Sequence, residues 1–96
     1  MRRPQTGQDV LEYEIREAQA ATIGRLGREL RNALDALAAV DRGDPQRPRL
    51  VDDAAYALWH FVVHRDCSGF AGTEHILKEY AVPGEVRAKM GAVRKS

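Results

Sequence analysis

The chain has 96 residues, with 15 Lys and Arg against 14 Asp and Glu, a net charge of +1, 44% apolar residues and one cysteine. That length suits one helical domain with a thin core. The balanced charge excludes the broad basic field of a strong nucleic-acid binder, and the lone Cys67 excludes an intrachain disulfide framework.

Residues 1–8, MRRPQTGQ, read as a loose leader, because Pro4 and Gly7 discourage an early helix. Arg2 and Arg3 are followed by acids rather than by the apolar stretch of a signal peptide. No segment approaches the roughly 20 apolar residues that span a bilayer. A cytoplasmic protein with no membrane partner is the expectation.

Asp9 reads as an N-cap with Glu12 as its capping-box partner. From residue 10 to residue 40 there is no proline. Leu11, Ile15, Ala18, Thr22, Leu26, Leu30, Ala33, Leu37 and Val40 recur at steps of three and four, the period of a helix. A helix of that length extends roughly 46 Å at 1.5 Å per residue, more than a small domain's diameter. Either it bends at Gly24 or Gly27, or a second chain covers part of the stripe; the two glycines would also let another helix approach closely. The expectation is a dimer whose seam is Leu26, Leu30, Ala33 and Leu37. Glu12–Arg16 and Arg31–Asp35 read as solvated pairs.

Residues 41–49, DRGDPQRPR, read as a linker with two prolines. The Arg42-Gly43-Asp44 tripeptide matches an adhesion motif but is too short to specify anything. Asp52 or Asp53 is the expected cap of a central helix. Between residues 54 and 63 the one clearly polar side chain is His60, so this helix should be apolar on every side and central in the core. Tyr56 and Trp59 are its candidate interaction anchors, since aromatics dominate binding hot spots. Ser68-Gly69 should end it.

His60, His64 and Cys67 fall at helical spacing, His and Cys are zinc ligands, and His75 could be a fourth ligand. The pattern lacks the paired spacing of a specific metal motif. Core or interface histidines and a buried, inert thiol are the favoured reading, with a metal-binding protein as an alternative. No metal, cofactor or small-molecule substrate is assigned. Catalysis is not expected: there is no nucleophile elbow and no phosphate-cradling loop.

Thr73 reads as the cap of a third helix with Ile76, Leu77 and Tyr80 on its apolar face. Pro83 suits the first position of a fourth, in which Val86 and Met90 share a face and Gly91 is the terminal C′ residue. Residues 92–96 read as a basic tail. The segment 74–90 resembles the helix-turn-helix of bacterial repressors, whose second helix enters the major groove. Ala81 and Val82 match its turn. That family normally has glycine where Ala81 stands, and Arg87 occupies the place of an expected branched apolar residue. The resemblance implies a small DNA-associated regulator as an alternative function, with Arg87, Lys89, Arg94 and Lys95 as the phosphate contacts.

LEYEI near the start, the W-x-F-V-V-H-R-D-C segment and EYAVPGEV near the end resemble a group of small, uncharacterised bacterial helical proteins. That resemblance implies an all-α fold and no assigned activity. The whole reading is a single all-α domain over residues 1–96: a long N-terminal helix, a central apolar helix and a short C-terminal hairpin, assembled as a dimer with a non-enzymatic interaction or structural role.

Overall fold

The computed structural model describes the backbone of residues 7–67, 69 and 72–95, and side chains from 10 to 91 within those limits. The described residues form four helices and no strand: α1 (Gly7–Ala38), α2 (Arg47–Cys67), α3 (Thr73–Glu79) and α4 (Gly84–Lys95). The chain is all-α, as its periodicity requires. α2 runs back along α1: Arg47 of α2 bonds the Val40 carbonyl just beyond α1, while the α2 C-terminus at Cys67 lies beside Ile15 and Thr22. α4 packs on α2, so α2 is central.

α1 is one uninterrupted helix through Gly24 and Gly27. Gly27 serves an approach rather than a bend. A Cβ built there would lie 2.9 Å from the Tyr80 hydroxyl and 3.5 Å from the Phe61 ring. Gly7 and Gln8, expected in the leader over 1–8, are helical, and Asp9 lies inside the helix instead of capping it. A cap is worth about 1 kcal/mol, too little to fix the first residue of so long a helix. Residues 1–6 lie outside the described residues.

The linker is also shorter than its prolines suggest. The Asp44 carboxylate accepts the Gln46 N–H at 2.8 Å, and the Arg47 N–H bonds the Asp44 carbonyl at 3.0 Å. Asp44 therefore anchors the turn that leads into α2, a place not taken by Asp52 or Asp53, which lie exposed inside the helix. Pro48 falls in the first turn, where its missing N–H would have no helical partner.

α3 begins after Gly72, whose φ of 113° is a conformation glycine adopts readily; Thr73 is the first helical residue and no side chain caps this end. At the other end the Ala81 N–H bonds the Lys78 carbonyl at 3.1 Å and the Val82 N–H bonds the Leu77 carbonyl at 3.0 Å. With Ala81 at φ 50° this is a Schellman motif built on alanine. Val82 completes it by packing on the core that contains Leu77. Pro83 immediately precedes α4 rather than opening it, and its carbonyl accepts the Val86 and Arg87 N–H groups. α4 continues through Gly91 to Lys95, so Gly91 is not a terminal residue and the backbone of the supposed tail is helical. An internal glycine costs about 1 kcal/mol. The burial of Val86 and Met90 outweighs that.

The core is Leu26, Leu30, Leu34 and Leu37 of α1, Ala54, Ala55, Leu58, Phe61 and Val62 of α2, Ile76 and Leu77 of α3, and Val86 and Met90 of α4. Among the described residues no polar or charged residue is buried with them. Burying each large aliphatic or Phe side chain contributes about 1.5–3 kcal/mol. Arg47 ties the assembly together across its edge, donating to the Val40 carbonyl at 3.3 Å and to the Glu85 carboxylate.

Candidate functional site

α1 is longer than the body that covers it. At 1.5 Å per residue its 32 residues extend about 48 Å, and the 21 of α2 about 32 Å. The difference appears as an overhang at the α1 N-terminus. The molecule measures 59 × 26 × 21 Å with a radius of gyration of 16.8 Å, against about 13 Å for a compact chain of this length.

The expected seam residues lie in the covered half. Leu26, Leu30 and Leu37 are only 4%, 0% and 2% exposed, and Ala33 packs partly buried on the same cluster. α2 of their own chain covers them, so they are not the surface on which a second chain would dock. The same stripe continues into the overhang with a different fate. Leu11 is 55% exposed and Ile15 48%, and Val10 and Tyr13 beside them are also exposed. Where the overhang meets the end of α2, Ile15, Ala18, Gln19 and Thr22 face His64 and Cys67 across a groove of about 350 Å³. Leu11, Ile15, Ala18 and Thr22 follow one another at steps of four, three and four, so they form one line running into that groove.

The groove joins a second exposed feature. Tyr56, His60 and His64 stack up the outer side of α2, with ring centroids 4.6 Å apart between Tyr56 and His60 and 6.1 Å between the two imidazoles. Of the two candidate anchors, Tyr56 is exposed, whereas Trp59 is partly buried against the core. His60, His64 and Cys67 share a side of α2, but among the described residues no three His, Cys, Asp or Glu side chains converge closely enough to hold a metal. Residues spaced along a straight helix need ligands from another element to close such a site, and α1 offers Ile15, Ala18, Gln19 and Thr22 there. His75 is exposed on α3, 3.9 Å from the Glu79 carboxylate. Cys67 is exposed rather than buried, because it sits at the open end of α2.

At the hinge over 80–83, Ala81 takes the left-handed backbone at the position where the repressor family normally has glycine. α4 turns Val86 and Met90 into the core. Glu85 bonds Arg47 and Lys89 lies 3.6 Å from Asp52, which leaves Arg87 as the exposed cation without an ion pair among the described α4 side chains. The side chains of Arg94 and Lys95 lie outside the described residues. No helix of the described residues is long and apolar enough to cross a membrane.

The sequence pattern contains the overhang stripe, yet periodicity alone does not say which half of it α2 covers. No curated protein and no solved structure matches the chain. The pattern of one family does match it, over residues 1–96, and on that evidence the chain belongs to a family of unknown function, DUF6665.

Proposed function

We propose that this is a non-enzymatic interaction protein that self-associates through the α1 overhang, not through the leucines of the covered half. The observation that carries this reading is the unbroken line of Leu11, Ile15, Ala18 and Thr22, exposed at its two large aliphatics and ending in an open groove. The lengths of the helices support it: α1 extends about 16 Å farther than α2. A stable protein interface takes about 800 Å² from each partner.

A second copy fits the chemistry of the line. If two overhangs pair antiparallel about Ile15, Leu11 of each faces Gln19 of the other, and the small Ala18 leaves room for the opposing helix. Such a contact is isologous and closes as a two-fold dimer. Glu12, Glu14 and Glu17 outnumber Arg16 on this stretch. In that register Glu14 of each copy lies level with Arg16 of the other, while Glu12 and Glu17 leave both overhangs net acidic, so the pairing is driven by apolar burial and tightens as salt screens the remaining repulsion.

Sedimentation equilibrium over a range of concentrations tests the reading. The expected result is a concentration-dependent doubling of mass that strengthens with added salt and is lost in the double variant Leu11→Glu, Ile15→Glu. A strict monomer at high concentration rejects it. The DNA-regulator reading has weaker support, because α4 commits Val86 and Met90 to the core and pairs Glu85 and Lys89 within the chain.

A further inference from the structure

Midway along the body, α1, α2 and the end of α3 surround a separate cleft of about 520 Å³. Its base is the Gly24–Gly27 stretch of α1, and Phe61 and Tyr80 stand as its aromatic wall, edge to face at 5.6 Å. Arg28, Arg31 and Arg65 line it, with Glu79 as the one carboxylate.

Each guanidinium has a physical reason to be where it is. Arg31 lies over the Tyr80 ring at 4.9 Å and Arg65 over the Phe61 ring at 5.6 Å, both within cation–π range. Arg28 folds back over Gly24, where a Cβ would sit 3.5 Å from its Nη1. The Arg31–Asp35 pair that the spacing suggests does not form; Arg31 turns to Tyr80 instead. Among the described residues neither Arg28 nor Arg31 has a carboxylate within ion-pair distance. Arg28 and Arg31 thus bring uncompensated positive charge to a cleft with low-dielectric walls, which concentrates positive potential there. Guanidinium forks match phosphate oxygens in pairs.

We propose that this cleft binds a small organic phosphate: the dianion on Arg28 and Arg31, and a flat apolar group of the ligand against the aromatic wall of Phe61 and Tyr80. Gly24, exposed beside Arg28, keeps the floor of the cleft low, while Gly27 seats Tyr80 and Phe61 against α1. The proposal is independent of self-association, since none of these residues lies on the overhang.

NMR titration of the full chain with phenyl phosphate, inorganic phosphate and phenol tests it. Phenyl phosphate is expected to saturate with a dissociation constant of about 1 mM or below and to shift the amides of Gly24, Gly27 and Tyr80. Inorganic phosphate should bind about tenfold more weakly, and phenol more weakly still. Arg28→Gln and Arg31→Gln should each weaken phenyl phosphate about tenfold. Arg25→Gln, which removes the same charge from an exposed residue paired with Glu29, should leave binding unchanged. Thermal melts of the three variants confirm that each is folded. Absence of saturation, equal weakening by Arg25→Gln, or binding of phenol as tight as that of phenyl phosphate would overturn the proposal.

Discussion

The two halves of α1 carry one apolar stripe and experience opposite surroundings. From Leu26 to Leu37 the stripe is closed in by α2 and joins a core without a buried polar residue among those described. From Thr22 back to Ile15 it borders the open groove at the end of α2, and at Leu11 it stands in solvent. Periodicity makes a helix amphipathic over its whole length, but coverage depends on the length of whatever packs against it. α2 is 11 residues shorter than α1, 21 against 32, and the exposed part of the stripe reflects that deficit. The contrast teaches that a helix can owe its fold to one half and present a surface with the other.

The largest expected difference between the halves is in amide hydrogen exchange. Amides of residues 26–37 should open only with the whole fold, at several kcal/mol, whereas those in the first turns of the overhang should open at about 1 kcal/mol or less. An isolated helix of that length is marginal in water. Equal protection along α1 in a dilute, monomeric sample would break the comparison. Protection that appears in the overhang only as concentration rises would sharpen it, because a second copy would then supply the missing cover.

Truncation gives the next largest effect. Leu30 is fully buried, so Leu30→Ala should cost about 3 kcal/mol in urea unfolding. Ile15→Ala should change the stability of the monomer by less than about 0.5 kcal/mol. A comparable cost at the two positions would show that something within the chain already shields the overhang.

The smallest expected effect separates the two glycines near the boundary. Gly24→Ala adds a Cβ at ordinary contact distance from Arg28 and should stabilise by about 0.5–1 kcal/mol through helix propensity. Gly27→Ala gains the same propensity but pushes a methyl group to within 2.9 Å of the Tyr80 hydroxyl. It should be neutral or destabilising by about 1 kcal/mol, a sign that thermal melts of the pair would read directly.

The helical class, the core of α2 and the shared face of Val86 and Met90 are legible in the residues themselves. They follow from spacing and from the cost of leaving apolar surface in water. Helix ends are less legible. Asp52 and Thr73 read as caps because Asp and Thr accept N–H bonds, yet Asp44 and Gly72 take those places through the turns around them. Local propensities of about 1 kcal/mol compete closely there, and tertiary packing decides among them.

The sequence by itself determined that residues 10–40 would be helical and amphipathic and that a cluster of leucines along them had to be hidden, since both follow from period and polarity; it left open a bend at Gly24 or Gly27, which α1 does not make. Only the tertiary structure decided what hides them. α2 of the same chain covers Leu26, Leu30 and Leu37, which removes the expected seam and leaves Leu11 and Ile15 outside. It also decided that Arg65, distant in sequence from Arg28 and Arg31, shares one cleft with them and with Phe61 and Tyr80. The physical reason is the same in both cases: period and polarity are local properties of a chain, whereas cover and convergence depend on where a second element ends.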